Sequence, residues 1–491
     1  MTLGIIAAYL LLVLAIGWWS NRYFRGTGTD YFVATRSIGS FLLLMSLFGT
    51  NMTAFSLLGA SGEAYHRGIG VFALMASSTA LVVPVVFLTI APRVWALGKR
   101  HGYMTQVQLI RDRWGSERLG AMLFVFQVVL LIPYLLIGIK GGGITLDRIT
   151  EGAVPEWAGS LVITLVVLAY VTAGGLRGTA WANAAQTLLF MILGGLTFWI
   201  VARSFGGLAA AFERVAEVEP ELLVRGDRVR PLELLSYMAI PLSVVGFPHI
   251  FLHWLTARSR ATFRLPVIAY PICVAVVWLP SVTIGVLASL DFPGLVGPEA
   301  NTVFIRMIGR YAPGALAGLL AAGVLAAVMS SLDSQTLALS NMFTHDIVKA
   351  YGFHDRMSDR LEILVGRACV VCVLAATFGL SVVIDQSIFR LGIWSFSGFA
   401  ALTPLIVAAL FWRRSTSAGA GASLLTAIGL WVAFLVRGWN DPGYTVAGSG
   451  LMPVLVMLVA AAVALVVVSY LSRPPAPEHL ARFFPTPESG R

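Results

Sequence analysis

The chain is a succession of apolar runs, each close to the roughly 20 residues that carry an α-helix across a hydrocarbon core. About thirteen runs of this kind can be traced: 3–19, 38–62, 71–97, 119–146, 157–173, 178–204, 236–257, 265–289, 312–344, 366–384, 387–411, 416–436 and 451–472. The charges collect in the segments between them. No water reaches backbone polar groups in a membrane interior, so a chain of this pattern satisfies them within helices. The expected fold class is an all-α polytopic membrane protein. Of the 491 residues 58% are hydrophobic and only 12% charged, against roughly 25% charged in an ordinary soluble domain. That balance excludes a string of soluble catalytic domains.

Lys and Arg set the orientation. With the N-terminus outside, about two thirds of the 34 basic residues fall on the cytoplasmic side, as the positive-inside rule expects. Arg93, Lys99, Arg100, Arg111, Arg113 and Arg118 form the largest cluster. The net charge of +10 therefore calls for no nucleic acid. The first run has neither the basic lead nor the small-residue cleavage site of a secretory signal, and reads as a retained span. Residues 1–472 read as one membrane domain with its N-terminus outside, in a cell membrane (plasma or inner membrane). Residues 473–491, opening on Pro474-Pro475-Ala476-Pro477, read as a disordered cytoplasmic tail. Cys273, Cys369 and Cys372 all fall inside apolar runs, which argues against disulfides or a thiolate metal site.

Several runs are interrupted. The second carries Gly49-Thr50-Asn51-Met52-Thr53, then Ser56 and Gly59. Gly weakens a helix, and Thr and Asn offer competing local hydrogen bonds; the alternative is close helix packing by small residues. The seventh carries Pro241 and Gly246-Phe247-Pro248-His249, and two prolines remove two backbone donors. Setting the first run aside, these two open successive sets of five, 38–204 and 236–411. Broken helices at corresponding positions of two halves point to an inverted repeat. A third polar patch, Ser330-Ser331-Leu332-Asp333-Ser334, lies in the ninth run. Its paired hydroxyls either bond back to their own helix or join carbonyls freed by the broken second run in a nearly neutral oxygen cage. Such a cage suits a hard, weakly held cation.

Gly174-Gly175-Leu176-Arg177 with Trp181, Asn183 and Gln186, Ala327-Val328-Met329-Ser330-Ser331 leading to Asp346-Ile347, Gly246-Phe247-Pro248-His249, and Phe411-Trp412-Arg413-Arg414 together resemble the sodium:solute symporter family. The resemblance covers about residues 3–436. It implies a leucine-transporter-type fold: a five-plus-five inverted repeat, with one extra N-terminal and two extra C-terminal helices. It implies a transporter, not an enzyme, that couples a co-transported sodium ion to a small-molecule solute by alternating access in a lipid bilayer. Carried over by position, the sodium site would use the carbonyls of Gly49, Met52 and Ala327 and the hydroxyls of Ser330 and Ser331. The solute would contact Asn51, Ser56, Phe247, His249, Trp394 and Ser395.

Two departures stand out. Asn183 stands where the family usually has Asp, which removes a negative charge near the inner mouth of the ion path. Lys140 precedes Gly141-Gly142-Gly143. An intramembrane charge reads as functional by default: a counter-ion for an anionic solute, or a tethered cation in place of sodium. The alternative is snorkelling to the headgroups. Asp333 reads either as the partner of a basic residue or as a help to departing ions. His249 and His253 sit one turn apart, but no carboxylate or Cys completes a metal site. The solute class expected is a small carboxylate: organic acid, amino acid or vitamin. Rival readings are a proton-coupled or sodium-independent carrier using Lys140, a sugar-type sodium symporter, and a transporter-like sensor. The pattern carries no signature of oligomeric state.

Overall fold

The computed structural model describes residues 2–20, 37–226, 229–353, 357–441 and 443–484, with the backbone alone for 17–20 and 173–178. Among the described residues the chain is helical, with no strand beyond one isolated bridge between Ile38 and Ala257. The first half runs α1 (Thr2–Ser20), α2 (Ser40–Asn51), α3 (Ala60–Arg67), α4 (Phe72–His101), α5 (Gln106–Trp114), α6 (Glu117–Ile149), α7 (Glu156–Thr172) and α8 (Thr179–Ser204). The second half continues with α9 (Pro231–Gly246), α10 (Pro248–Thr256), α11 (Arg264–Asp291), α12 (Gly314–Met342), α13 (Asp359–Val383) and α14 (Ile388–Phe411). Then come α15 (Ser417–Gly438), α16 (Pro453–Leu471) and α17 (Pro477–Phe483).

Nine described helices are long and apolar enough to cross a membrane, and two bent pairs, α2 with α3 and α9 with α10, bring the number to eleven. The expected first and fifth runs are apolar helix over their fully described parts, Thr2–Ile16 and Glu156–Thr172, and the helical backbone continues beyond both. Among the described residues, up to eleven spans therefore meet the length and composition of a crossing. Helix starts follow the chemistry of capping: the side chains of Thr105, Ser116, Ser358, Ser387 and Thr416 each accept a backbone N–H of the first turn.

Helical backbone continues from Glu156 to Ser204, yet the flanking contacts reverse direction. Tyr170 and Asn183 reach the same turn of α12, at Asp333 and Ser334, while Leu193 packs at Gly323 nearer its start. A straight helix would separate residues 170 and 183 by about 20 Å and carry them past different turns. α7 and α8 thus form two antiparallel arms; the side chains of the expected turn, 174–177, lie outside the described set.

Close approach depends on glycine at two crossings. A Cβ on Gly142 would meet Ile163 at 2.7 Å, and one on Gly143 would meet Ser160 at 2.2 Å, so the glycine run after Lys140 lets α6 and α7 touch backbone to backbone. At the second, a Cβ on Gly285 in α11 would sit 2.2 Å from the Ser61 carbonyl oxygen in α3.

The tail differs from the expectation of disorder over 473–491. Residues 477–483 form α17, and Phe483 and Phe484 are buried against the end of the bundle. Two bulky apolar side chains next to each other give the segment something to bury, which the prolines before it conceal.

Candidate functional site

Both expected helix breaks are present, with bends of 58° and 55°. At the first, α2 stops at Asn51 and Met52 turns extended (φ −93°, ψ 104°). The Phe55 N–H is taken by Thr53 Oγ1 at 3.0 Å, and a π turn over Phe55–Gly59 leads into α3. At the second, Phe247 is extended (φ −68°, ψ 115°) and Pro248, which lacks an N–H, opens α10. Carbonyls released there are satisfied by side chains: Gln127 donates to Gly246 O at 3.1 Å and Gln106 to Val245 O at 2.9 Å. In the membrane interior this compensation is obligatory.

The breaks meet α12. Ser330 Oγ, fully buried, donates to Gly49 O at 3.0 Å across 281 residues and lies 3.0 Å from Ala327 O of its own helix. Ser331 Oγ instead donates to Val328 O at 3.0 Å, back onto α12. Met52, 2% exposed, sits at the same break. Of the five residues named for the ion, Ser330 is thus within hydrogen-bond distance of two others, Gly49 and Ala327.

One turn along α12 lies a polar node that the sequence left scattered. Thr50 Oγ1 donates to Ser334 Oγ at 2.8 Å, and Asn183 Nδ2 donates to both, at 3.0 and 2.8 Å. His253 Nε2 lies 3.2 Å from each hydroxyl. Ser334 Oγ donates to Asp333 Oδ1 at 3.2 Å, and Tyr170 OH to Asp333 Oδ2 at 3.3 Å. Five helices, α2, α7, α8, α10 and α12, are tied here. Asp333 pairs with hydroxyls rather than with the basic residue considered for it. Asn183 is fully buried inside the bundle. The available signal was one polar residue in each of several apolar runs.

Beside the break is a small cavity of about 40 Å³, lined by Asn51, Ser56, Thr79, Ser243, Phe247 and Phe396 among others, with no charged side chain. Asn51 Nδ2 donates to Tyr270 OH at 2.5 Å. Three of the residues named for the solute, Asn51, Ser56 and Phe247, line it; four do not. His249 is sealed between Tyr134 and Phe247, with ring centroids 5.4 and 4.9 Å away. Ser395 Oγ donates to Leu130 O at 2.8 Å, and the Trp394 carbonyl accepts Trp431 Nε1 at 2.9 Å, so both fasten α14 to its neighbours. The face of α14 turned to the break carries Phe389 and Phe396, 4.8 and 5.1 Å from the Phe55 ring. Their spacing of seven, around Gly392, was the signal for them. Lys140 Nζ donates to Ile384 O at 2.9 Å, the carbonyl capping the C-terminal end of α13, and lies 3.7 Å from Glu156. A cation at a helix C-terminus is stabilised by the terminal carbonyls, and this one does not line the cavity. The pair His249 and His253 forms no metal site, since no group of three or more His, Cys, Asp or Glu among the described residues is arranged to hold one.

The two broken helices are tied at both ends. At one end Ile38 N donates to Thr256 O and Arg258 N to Ile38 O, each at 3.0 Å. At the other, Arg67 of α3 pairs with Glu233 of α9 at 2.8 Å.

Two interrupted helices that face each other across a small cavity, over a helix bearing buried hydroxyls, define a broken-helix secondary transporter. A model of the sodium:solute symporter family matches residues 31–427. The chain is 27% identical to a sodium/proline symporter of Haemophilus influenzae, covering 98% of this chain and 96% of that one. It is 25% identical to a sodium/pantothenate symporter of Escherichia coli, over 86% and 87%. Its fold matches a Na⁺-coupled sialic acid symporter solved in a substrate-bound outward-open state, with TM-score 0.81, 17% identity and coverage of 96% and 98%. The closed nucleobase-cation-symport-1 transporter Mhp1 aligns at TM-score 0.59, with 14% identity, over 93% and 95%. This chain belongs to the sodium:solute symporter family. It is a multi-pass membrane transporter of small molecules, not an enzyme, and sodium is the co-transported ion.

Proposed function

We propose that the protein carries a small organic carboxylate across the membrane together with sodium, binding both beside the break after Asn51. The observation that carries this reading is the Ser330 hydroxyl on the Gly49 carbonyl. The proposed cage takes the carbonyls of Gly49, Met52 and Ala327 and the hydroxyls of Ser330 and Ser331, the last after rotating off Val328 O. All five are neutral oxygens, the ligand type a hard monovalent cation accepts. Asn51, Ser56 and Phe247 would contact the solute. No side-chain cation lines the cavity, so the countercharge for a carboxylate falls to the bound sodium and to backbone N–H groups at the break.

Adjacency supplies the coupling. Met52 contributes to the proposed cage and also lines the cavity, and Asn51 precedes it. Sodium that orders this segment lowers the ordering cost for the solute, and the effect is reciprocal. The ties at both ends of the broken helices describe a closed form, and alternating access consists of releasing one tie at a time. The N-terminus is assigned outside and the C-terminus to the cytoplasm from the distribution of Lys and Arg. Residues 38–204 and 236–411 are the two repeats of one transporter domain over 1–472, each opening on its broken helix.

The test is a thermal-shift screen of purified protein against organic acids, amino acids, vitamins and sugars, each with sodium and with choline. A carboxylate that raises Tm only in sodium is the expected result. A solute that stabilises equally in choline overturns sodium coupling, and a sugar hit overturns the solute class.

A further inference from the structure

Three arginines from separate elements converge on one ring of the tail. The guanidinium carbons of Arg93 in α4, Arg113 in α5 and Arg413 just past α14 lie 5.3, 5.2 and 5.6 Å from the centre of the Phe484 ring. No two of these charges are then further apart than about 11 Å, less than one and a half times the Debye length of about 8 Å in physiological salt. None of the three forms an ion pair among the described residues; the acid nearby, Asp112, already holds Arg482 at 3.7 Å and Tyr103 at 3.0 Å. Arg113 is 0% exposed. Its Nε and Nη2 hold Ala409 O, Trp412 O and Ser415 Oγ, while Nη1 is buried without a partner, as is Nε of Arg93. Burial with no carboxylate at hand pushes the Arg113 guanidinium down to about 10. Packing around an aromatic face recovers part of that cost, but leaves two N–H groups unmet and three like charges together.

The height of the cluster in the bilayer says what would meet them. Arg93 lies 4.9 Å from the Phe411 ring, which ends α14 and is 46% exposed. On the neighbouring span, Tyr470 and Leu471 end α16 at 65% and 83% exposed, and the Tyr470 ring is 5.9 Å from Trp412. Exposed apolar ends of adjacent spans mark the edge of the hydrocarbon, so the arginines stand at headgroup level beside acyl chains.

We propose that Arg93, Arg113 and Arg413 form a phosphate site for the headgroup of an acidic phospholipid, which Phe484 covers in this conformation. Guanidinium forks suit phosphate oxygens, and basic pockets at this level hold anionic headgroups. Lipid and tail then compete for one place: a headgroup that enters must displace Phe484 and with it α17, held by His479 on Arg113 O at 3.0 Å and by Phe483 stacked on His101.

The experiment measures lipid retained by the full chain in native mass spectrometry, with phosphatidylglycerol against phosphatidylcholine, and tryptic cleavage after Arg482 in nanodiscs of each. Wild type should retain phosphatidylglycerol preferentially and expose Arg482 in it. The double variant Arg93→Gln/Arg413→Gln, which spares the carbonyl bonds of Arg113, should lose about 30-fold in retention, the worth of two arginines at an anionic surface. Phe484→Ala should retain more than wild type, an effect that misfolding does not produce. Equal retention by wild type and double variant, or no gain in Phe484→Ala, overturns the proposal. Displacement of the lipid by inorganic phosphate at equal concentration also overturns it, in favour of a soluble anion.

Discussion

Ser330 gives the sharpest residue-level expectation. One lost oxygen ligand or charged hydrogen bond costs about 1.5–3 kcal/mol, so Ser330→Ala should raise the sodium concentration for half-maximal uptake about 10- to 100-fold. Ser395→Ala, which removes only the bond to Leu130 O, should leave that concentration unchanged; uptake titrated with sodium in vesicles compares the two. A Cβ on Gly49 would meet Thr187 Oγ1 at 2.0 Å, so Gly49→Ala should push α2 off α8 and cost about 1–3 kcal/mol, read as a lower Tm. Lys140→Met should lower Tm while leaving the KM for solute unchanged, because its partners are Ile384 O and Glu156; a KM raised tenfold would restore the counter-ion role. At this scale the sequence spoke well where chemistry is local. Gly, Asn and paired Ser inside apolar runs are visible as polar breaks. It spoke poorly where direction decides: Ser395, Trp394 and His249, named for the solute, are engaged with α6, α15 and Tyr134 instead of lining the cavity. Helix rotation is set by packing, and one residue shifts it by about 100°.

At the level of elements, both bent helices are pinned at each end by few bonds. Arg67 and Glu233 are about a fifth exposed, and a partly screened pair of this kind is worth about 1 kcal/mol. Glu233→Gln should therefore shift the conformational balance about fivefold toward the form open at that end. Labelling rates of a single Cys introduced at Thr79 in the cavity wall measure it. An unchanged rate would mean that the Arg67–Glu233 tie does not gate the cavity. The breaks themselves were readable, since Pro241, Pro248 and the Gly49–Thr53 stretch violate helix rules in runs that otherwise keep them. The docked α17 was not readable: its prolines announce a loop, while its anchors are two adjacent phenylalanines whose acceptor surface comes from three distant segments.

For the whole molecule, sodium and solute should stabilise each other. If sodium tightens solute binding by some factor, solute must tighten sodium binding by the same factor, and calorimetric titration in both orders tests the equality. The polytopic helical architecture was legible because bilayer physics leaves few options. One consequence follows from the make-up of the proposed cage. Three of its five oxygens belong to the peptide backbone, at Gly49, Met52 and Ala327, and no codon change can delete a main-chain carbonyl. The ion's seat is thereby shielded from mutation while Asn51, Ser56 and the rest of the neighbouring wall remain free to drift. A lineage built this way can exchange its cargo for another without rebuilding the engine that drives it.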